Sequence, residues 1–313
     1  MTLFIDDRIF QLQSHGGISN LWRNLAPHLQ TALQSTTFED SKPDLFMSTY
    51  YGLPQNGFDS VVLAYDFIAE RYPAIGAYHV DAVQKRTAIQ QAKAVIAISQ
   101  WVANDVQHYC GKVASVAHCG TTLRRASPEQ VQAFKNKYDI QRPYVLTLGR
   151  RASYKNAQVL YQAWPFFAAR DDCMVLCVGG EENTVADNQF KTQYPSQWER
   201  IYIMDNEMPA AITGAEMLVY PSFYEGFGLP VLEAMACGTP VICGNHSAIP
   251  EFAEDSPYYC DVYRPISVAE AMNEALQADF WRQSQAMARA KTFTWERMAQ
   301  DIIQAIKDIP DND

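Results

Sequence analysis

Positive charge is what this chain has little of. Its 25 Lys and Arg stand against 35 Asp and Glu, a formal charge of -10, which argues against nucleic acid as the main partner. No apolar run approaches the length that crosses a bilayer. The N-terminus, MTLFIDDRIF, has acidic residues where a signal peptide would have a basic patch, so a cytoplasmic location is expected. The seven cysteines are Cys110, Cys119, Cys173, Cys177, Cys237, Cys243 and Cys260, an odd number. Most lie in apolar runs such as CMVLCVGG, without partnering Cys or His at ligand spacing, and read as small buried hydrophobes in a reducing compartment. There is no internal repeat and no low-complexity tract.

What is present suits a globular protein: 313 residues, 48% apolar and 19% charged, enough for two ordinary domains. Residues 1–140 hold 12 basic and 12 acidic residues, so the acidic excess (13 against 23) falls wholly beyond them. A neutral first part can approach an anionic acceptor or the inner face of a membrane more easily than the second part can. No strongly basic amphipathic helix is there to anchor it.

Apolar runs alternate with helical patterns. TLFI opens as a strand, and Leu21, Leu25, Leu29 and Leu33 give a helix over 20–34. Strands follow at 60–66, 94–99 and 113–118, with a helix over 82–93 and another capped by Ser99. The segment 127–143 reads as a join. A second series then begins: strand 144–148, helix 156–169, strands 174–180, 201–204 and 217–222, helix 230–237 and strand 240–243. The tail is helical from Ser267, with a break near Thr292. Uniformly apolar strands alternating with helices predict two α/β domains, each a mostly parallel sheet.

The stretch SFYEGFGLPVLEAMACGTPVI, residues 222–242, carries the chemistry. Glu225 and Glu233 cannot share a helix, because Gly226, Gly228 and Pro230 intervene and Pro230 suits the first helical turn. The loop therefore leaves the carboxyl end of a strand, where open α/β sheets bind ligands. Glycine lets the backbone come close, amides near Gly228 and Leu229 suit a phosphate, and carboxylates accept from sugar hydroxyls. Together they describe a nucleotide-sugar site. TLGRRASYKN, at the matching edge after strand 144–148, supplies cations: Arg150 or Arg151, and Lys155. In the first domain, SHGGISN places Gly16 and Gly17 at a helix start. Asp66 ends the strand 60–64, and His79 is a candidate proton handler. NHSAIPEF follows the strand 240–243 on the same edge as the motif.

These residues resemble the retaining nucleotide-sugar glycosyltransferases of the GT-B class. The match rests on Glu225-Gly226-Phe227-Gly228 through Glu233, on Ala236 to Val241, and on Gly149-Arg150 with Lys155-Asn156. Asp6 to Asn20 and Ser247 to Glu251 extend it, so it runs from the first strand to about Trp295. The resemblance implies a GT-B fold of two Rossmann-like parallel-sheet domains facing a central cleft. Residues 1–140 would form the acceptor side, 141–285 the donor side, and 286–313 a helical tail crossing back. It implies Glu225 on the transferred hexose, Glu233 on the ribose, and Phe227, Gly228 and Leu229 along the donor. Arg150 or Arg151 and Lys155 would meet the leaving diphosphate, and Asp66 would join the catalytic set. Relatives commonly carry a histidine before that aspartate, where this chain has Tyr65. The acidic residues of the motif form no Asp-x-Asp pair, so no metal and no cofactor is expected. The partners expected are a nucleotide diphosphate sugar and a saccharide or lipid-linked saccharide acceptor. Two alternatives stay open: a sugar-nucleotide epimerase, and a non-catalytic member that binds nucleotide sugar or a partner.

Overall fold

The structure, a computed structural model, describes residues 3–13, 16–33, 44–54, 58–73, 79–277 and 279–310; for 32–33 and 79–81 it describes the backbone alone. Ser14, His15 and the His79 side chain therefore lie outside the described residues. The chain divides into two compact units, Met1–Thr122 with Phe293–Asp313, and Leu123–Thr292.

The first unit is built on five parallel strands in sequential order: β1 (Leu3–Ile5), β2 (Leu45–Ser48), β3 (Asp59–Ala64), β4 (Ala94–Ala97) and β5 (Ser115–Val116). Strand β2 is not among the sequence expectations; four residues, all buried, are too short to show a period. The helix Gly17–Leu33 buries Leu21, Trp22, Leu25 and Leu29, one apolar stripe. The helix Trp295–Lys307 packs against it and against β4, burying Trp295, Met298, Ala299, Ile302, Ala305 and Ile306. Its start is capped by Thr294, whose side chain accepts from the amide of Arg297.

The second unit holds six parallel strands: β6 (Tyr144–Leu148), β7 (Met174–Val178), β8 (Trp198–Ile201), β9 (Met217–Tyr220), β10 (Val241–Gly244) and β11 (Tyr258–Cys260). Their spatial order is β11-β10-β9-β6-β7-β8. The chain winds outward from β6 in one direction and returns to wind outward from β9 in the other. The order reverses between β6 and β9, so the loops leaving those strands part and open a crevice at the carboxyl edge.

The division differs from the sequence expectation at both joins. Helix Pro128–Lys137 belongs to the second unit, because Phe134 is buried there and Tyr138 donates to Glu207 at 2.9 Å. Helix Phe280–Ala290 stays there too, packed on the helices Leu229–Cys237 and Ile249–Ala253. The chain joins the first unit only from Phe293. Smaller corrections have local causes. The expected helix 156–169 is interrupted, since Pro165 cannot continue it, and leaves the short helix Gln158–Ala163. Strand 201–204 is displaced to 198–201, where Trp198 fills the core, and strand 113–118 contracts to two residues. Among the described residues no helix is long and apolar enough to cross a membrane.

Candidate functional site

The loops after β6 and β9 bring Lys155 and Glu225 together. Lys155 lies at the end of a short 3-10 turn, Ser153–Lys155, and its Nζ donates to Glu225 Oε1 at 2.7 Å and to the Tyr220 hydroxyl at 2.5 Å. Both side chains are largely withdrawn from water, at 15% and 10% exposure. Burial works against the Lys155 charge, but Glu225 and Tyr220 outweigh it and hold the ammonium well above its ordinary pKa. The Tyr154 and Tyr220 rings lie 5.1 and 4.7 Å from the same nitrogen.

The backbone here is held in costly conformations. Ser153, Asn156 and Ser247 have positive φ without being glycine, the strain that packed functional loops tolerate. Asn156 is buried and donates to Pro221 O at 3.3 Å and Val262 O at 2.9 Å, tying the Lys155 turn to the ends of β9 and β11. Ser247 Oγ accepts from the Glu225 amide at 3.2 Å. His246 Nε2 meets Ser222 O at 3.1 Å; a carbonyl only accepts, so Nε2 carries the proton. The Ser222 hydroxyl is buried with no partner among the described residues.

Gly228, at φ 107, opens the helix Leu229–Cys237 without a side-chain cap. Neither its amide nor that of Leu229 finds an acceptor among the described residues, which leaves two N–H groups unpaired at a helix start. Glu233 follows, half-buried, without a hydrogen bond among the described residues. Burial, with the charge of Asp205, pushes its carboxyl up to about 7.

Two expected donor contacts do not hold as stated. Arg151 is 2% exposed: Nε donates to Asp187 at 2.9 Å, one terminal nitrogen to Gly179 O, and the other to Glu181 O and Glu182 O. Its guanidinium braces the loop after β7 and has no edge left for a diphosphate. Arg150 is the exposed member of the pair. Phe227 is turned inward, stacked on Phe252 at 4.5 Å, so only its backbone borders the loop.

In the first unit, Gly17 starts the helix Gly17–Leu33 and Gly16 precedes it. Asp66, half-buried, accepts from the Ile68 amide at 3.2 Å. Tyr65 is buried; its hydroxyl accepts from Trp22 Nε1 at 2.7 Å and donates to Thr49 O at 2.8 Å, a bracing role. Tyr220 is the contributor sequence reasoning missed. Asn156, His246 and Ser247 lie in stretches it singled out, without a role assigned to them.

The switch point of this parallel α/β unit unites a cation, a carboxylate and uncapped amides, at the edge where open α/β sheets take ligands. The chain belongs to the family described as Glycosyl transferases group 1, which matches residues 129–295. It is 32% identical over 199 residues to the O-antigen chain mannosyltransferase B of Escherichia coli, covering 60% of this chain and 52% of that protein. It is 30% identical over 197 residues to the alpha-maltose-1-phosphate synthase of Mycolicibacterium smegmatis, covering 58% and 51%. The chain thus spans about half the length of these curated relatives. Among solved structures it is similar to WaaG, a glycosyltransferase involved in lipopolysaccharide biosynthesis, with a TM-score of 0.74, 15% identity and coverage of 98% and 100%. It is likewise similar to Anabaena Alr3699/HepE in complex with UDP and glucose, with a TM-score of 0.72, 17% identity and coverage of 98% and 90%. The fold is that of the GT-B glycosyltransferases.

Proposed function

We propose that the protein transfers a hexose or deoxyhexose from a nucleotide diphosphate sugar to a saccharide or lipid-linked saccharide acceptor, with retention at the anomeric carbon. The observation that carries this reading is the meeting of Lys155 and Glu225 at the β6/β9 switch point, beside the open amides of Gly228 and Leu229. The amides and Lys155 meet the diphosphate, and Arg150 extends the cationic side. Glu225 accepts from a sugar hydroxyl and Glu233 from the ribose. As the bond from the anomeric carbon to the diphosphate breaks, negative charge grows on the leaving oxygen, where Lys155 stabilises it. The reading calls on the chain's own cations and needs no metal. Relatives named as mannosyltransferases, one of them as GDP-mannose-dependent, make GDP-mannose the first donor to test. Mass spectrometry after incubation with GDP-, UDP- and dTDP-sugars and a saccharide panel, with and without EDTA, should show a glycosylated product in both. A retained anomer is expected by NMR. Donor returned unchanged from every mixture would remove the reading; an epimerised donor would replace it.

Glu233 makes the donor affinity depend on pH. A ribose diol donates hydrogen bonds, so the ionised carboxyl is the binding form. With its pKa pushed up to about 7, affinity should rise as pH increases through that value and then level off. Binding just below it should release a proton. Calorimetry with a nucleotide sugar, whose diphosphate diester does not titrate there, reads both effects across buffers of different ionisation enthalpy. Glu233→Gln should flatten the profile, and a flat wild-type profile would take the ribose away from Glu233.

A further inference from the structure

Tyr220 ends β9 and pairs in register with Cys243, a place where packing alone would be served by any apolar side chain. It is 4% exposed, yet it carries a hydroxyl whose one bond among the described residues is the one accepted from Lys155 Nζ. Its own hydrogen meets no acceptor among them. A buried phenol kept only for the fold would be expected to spend that hydrogen on the main chain, as Tyr144 does by donating to Ala211 O at 2.6 Å. The hydroxyl of Tyr220 instead acts on one group, the ammonium.

That ammonium has three N–H donors. One goes to Tyr220 and one to Glu225, and this pair of bonds fixes the direction of the third. The Tyr220 ring adds a face at 4.7 Å, which favours a cation over a neutral amine. Burial raises the phenol's own pKa, so it stays protonated and offers the lysine a neutral oxygen. Glu225 is held in turn by Ser247 through its amide, which leaves Lys155, on its long flexible stem, as the member most in need of a second anchor.

We infer that Tyr220 is a positioning residue: it aims the free N–H of Lys155 at the diphosphate of the donor. The inference rests on the donor-site reading above and assigns Tyr220 no contact with substrate. A residue that acts only through Lys155 has a distinctive signature, since its removal matters only while Lys155 is present.

The test compares wild type, Tyr220→Phe, Lys155→Met and the double variant, using GDP-mannose and UDP-glucose as probes. Tyr220→Phe keeps the ring and removes one oxygen. It should lower kcat by roughly 10-fold, with KM for the donor moving much less, because a misaimed charge is missed most in the transition state. In the Lys155→Met background the same substitution should change turnover by less than about 2-fold. Melting temperatures of all four proteins report folding separately. An equal loss in both backgrounds, or Tyr220→Phe turning over at the wild-type rate, overturns the inference while leaving the donor site in place. Wild type that neither binds nor turns over any donor overturns the site reading, and the inference falls with it.

Discussion

Lys155→Met is expected to lower donor turnover by at least about 100-fold, the size of effect seen when one preorganised charge-stabilising group is removed. The reason is local. Lys155 is the cation that meets Glu225 at the β6/β9 switch point, and Arg151 nearby in the same loop is already committed to Asp187 and three carbonyls. The variant should also be less stable, by about 3 kcal/mol, because Glu225 at 10% side-chain exposure loses its counter-charge. Urea denaturation at neutral pH reads this directly. Adding Glu225→Gln removes the stranded charge, so the double variant should regain most of the stability and none of the turnover. Turnover of Lys155→Met within about 3-fold of wild type would place the leaving-group charge elsewhere.

This contrast between stability and rate separates what was legible in the sequence from what was not. Strand, glycine loop and helix from 217 to 237 could be read because each piece announces itself locally: an apolar run, a glycine pair of which Gly228 takes a positive φ, and Pro230 in the first turn. The same local reading put cations and carboxylates on matching strand ends, and the reversal between β6 and β9 does set those two loops side by side. It could not tell Arg150 from Arg151. The difference lies in Asp187, far along the chain, whose carboxylate also accepts from Tyr161 and holds the guanidinium inside. Tyr220 was invisible for the opposite reason: in a strand it reads as one more apolar residue, and only its hydroxyl's partner sets it apart. Strands β2 and β11, four and three residues long, are too brief for periodicity to register. The unit boundaries were misplaced because helix 128–137 is joined to its unit by side-chain contacts, not by any feature of its own composition.

Gly120→Ala should cost at least about 3 kcal/mol, a loss carried by a single methyl group. A Cβ at this position would lie 2.3 Å from both the Thr294 carbonyl carbon and the Trp295 amide nitrogen. Those are backbone atoms, so no rotamer change relieves the clash. They also sit at the start of helix Trp295–Lys307, beside the bond from the Thr121 amide to Phe293 O. Relief therefore requires the returning segment to move as a whole, against the burial of Trp295, Met298, Ile302 and Ile306. The expected result is a melting temperature lower by roughly 6 °C or more and faster hydrogen exchange confined first to residues 295–307. Gly17→Ala gives the comparison, because a Cβ there meets nothing within 4 Å and a helical alanine is favoured over glycine. It should leave the melting temperature unchanged or raise it slightly. Equal exchange of 295–307 in wild type and Gly120→Ala would mean that the chain does not cross this close to Gly120, and that the last helix is held by its apolar face alone.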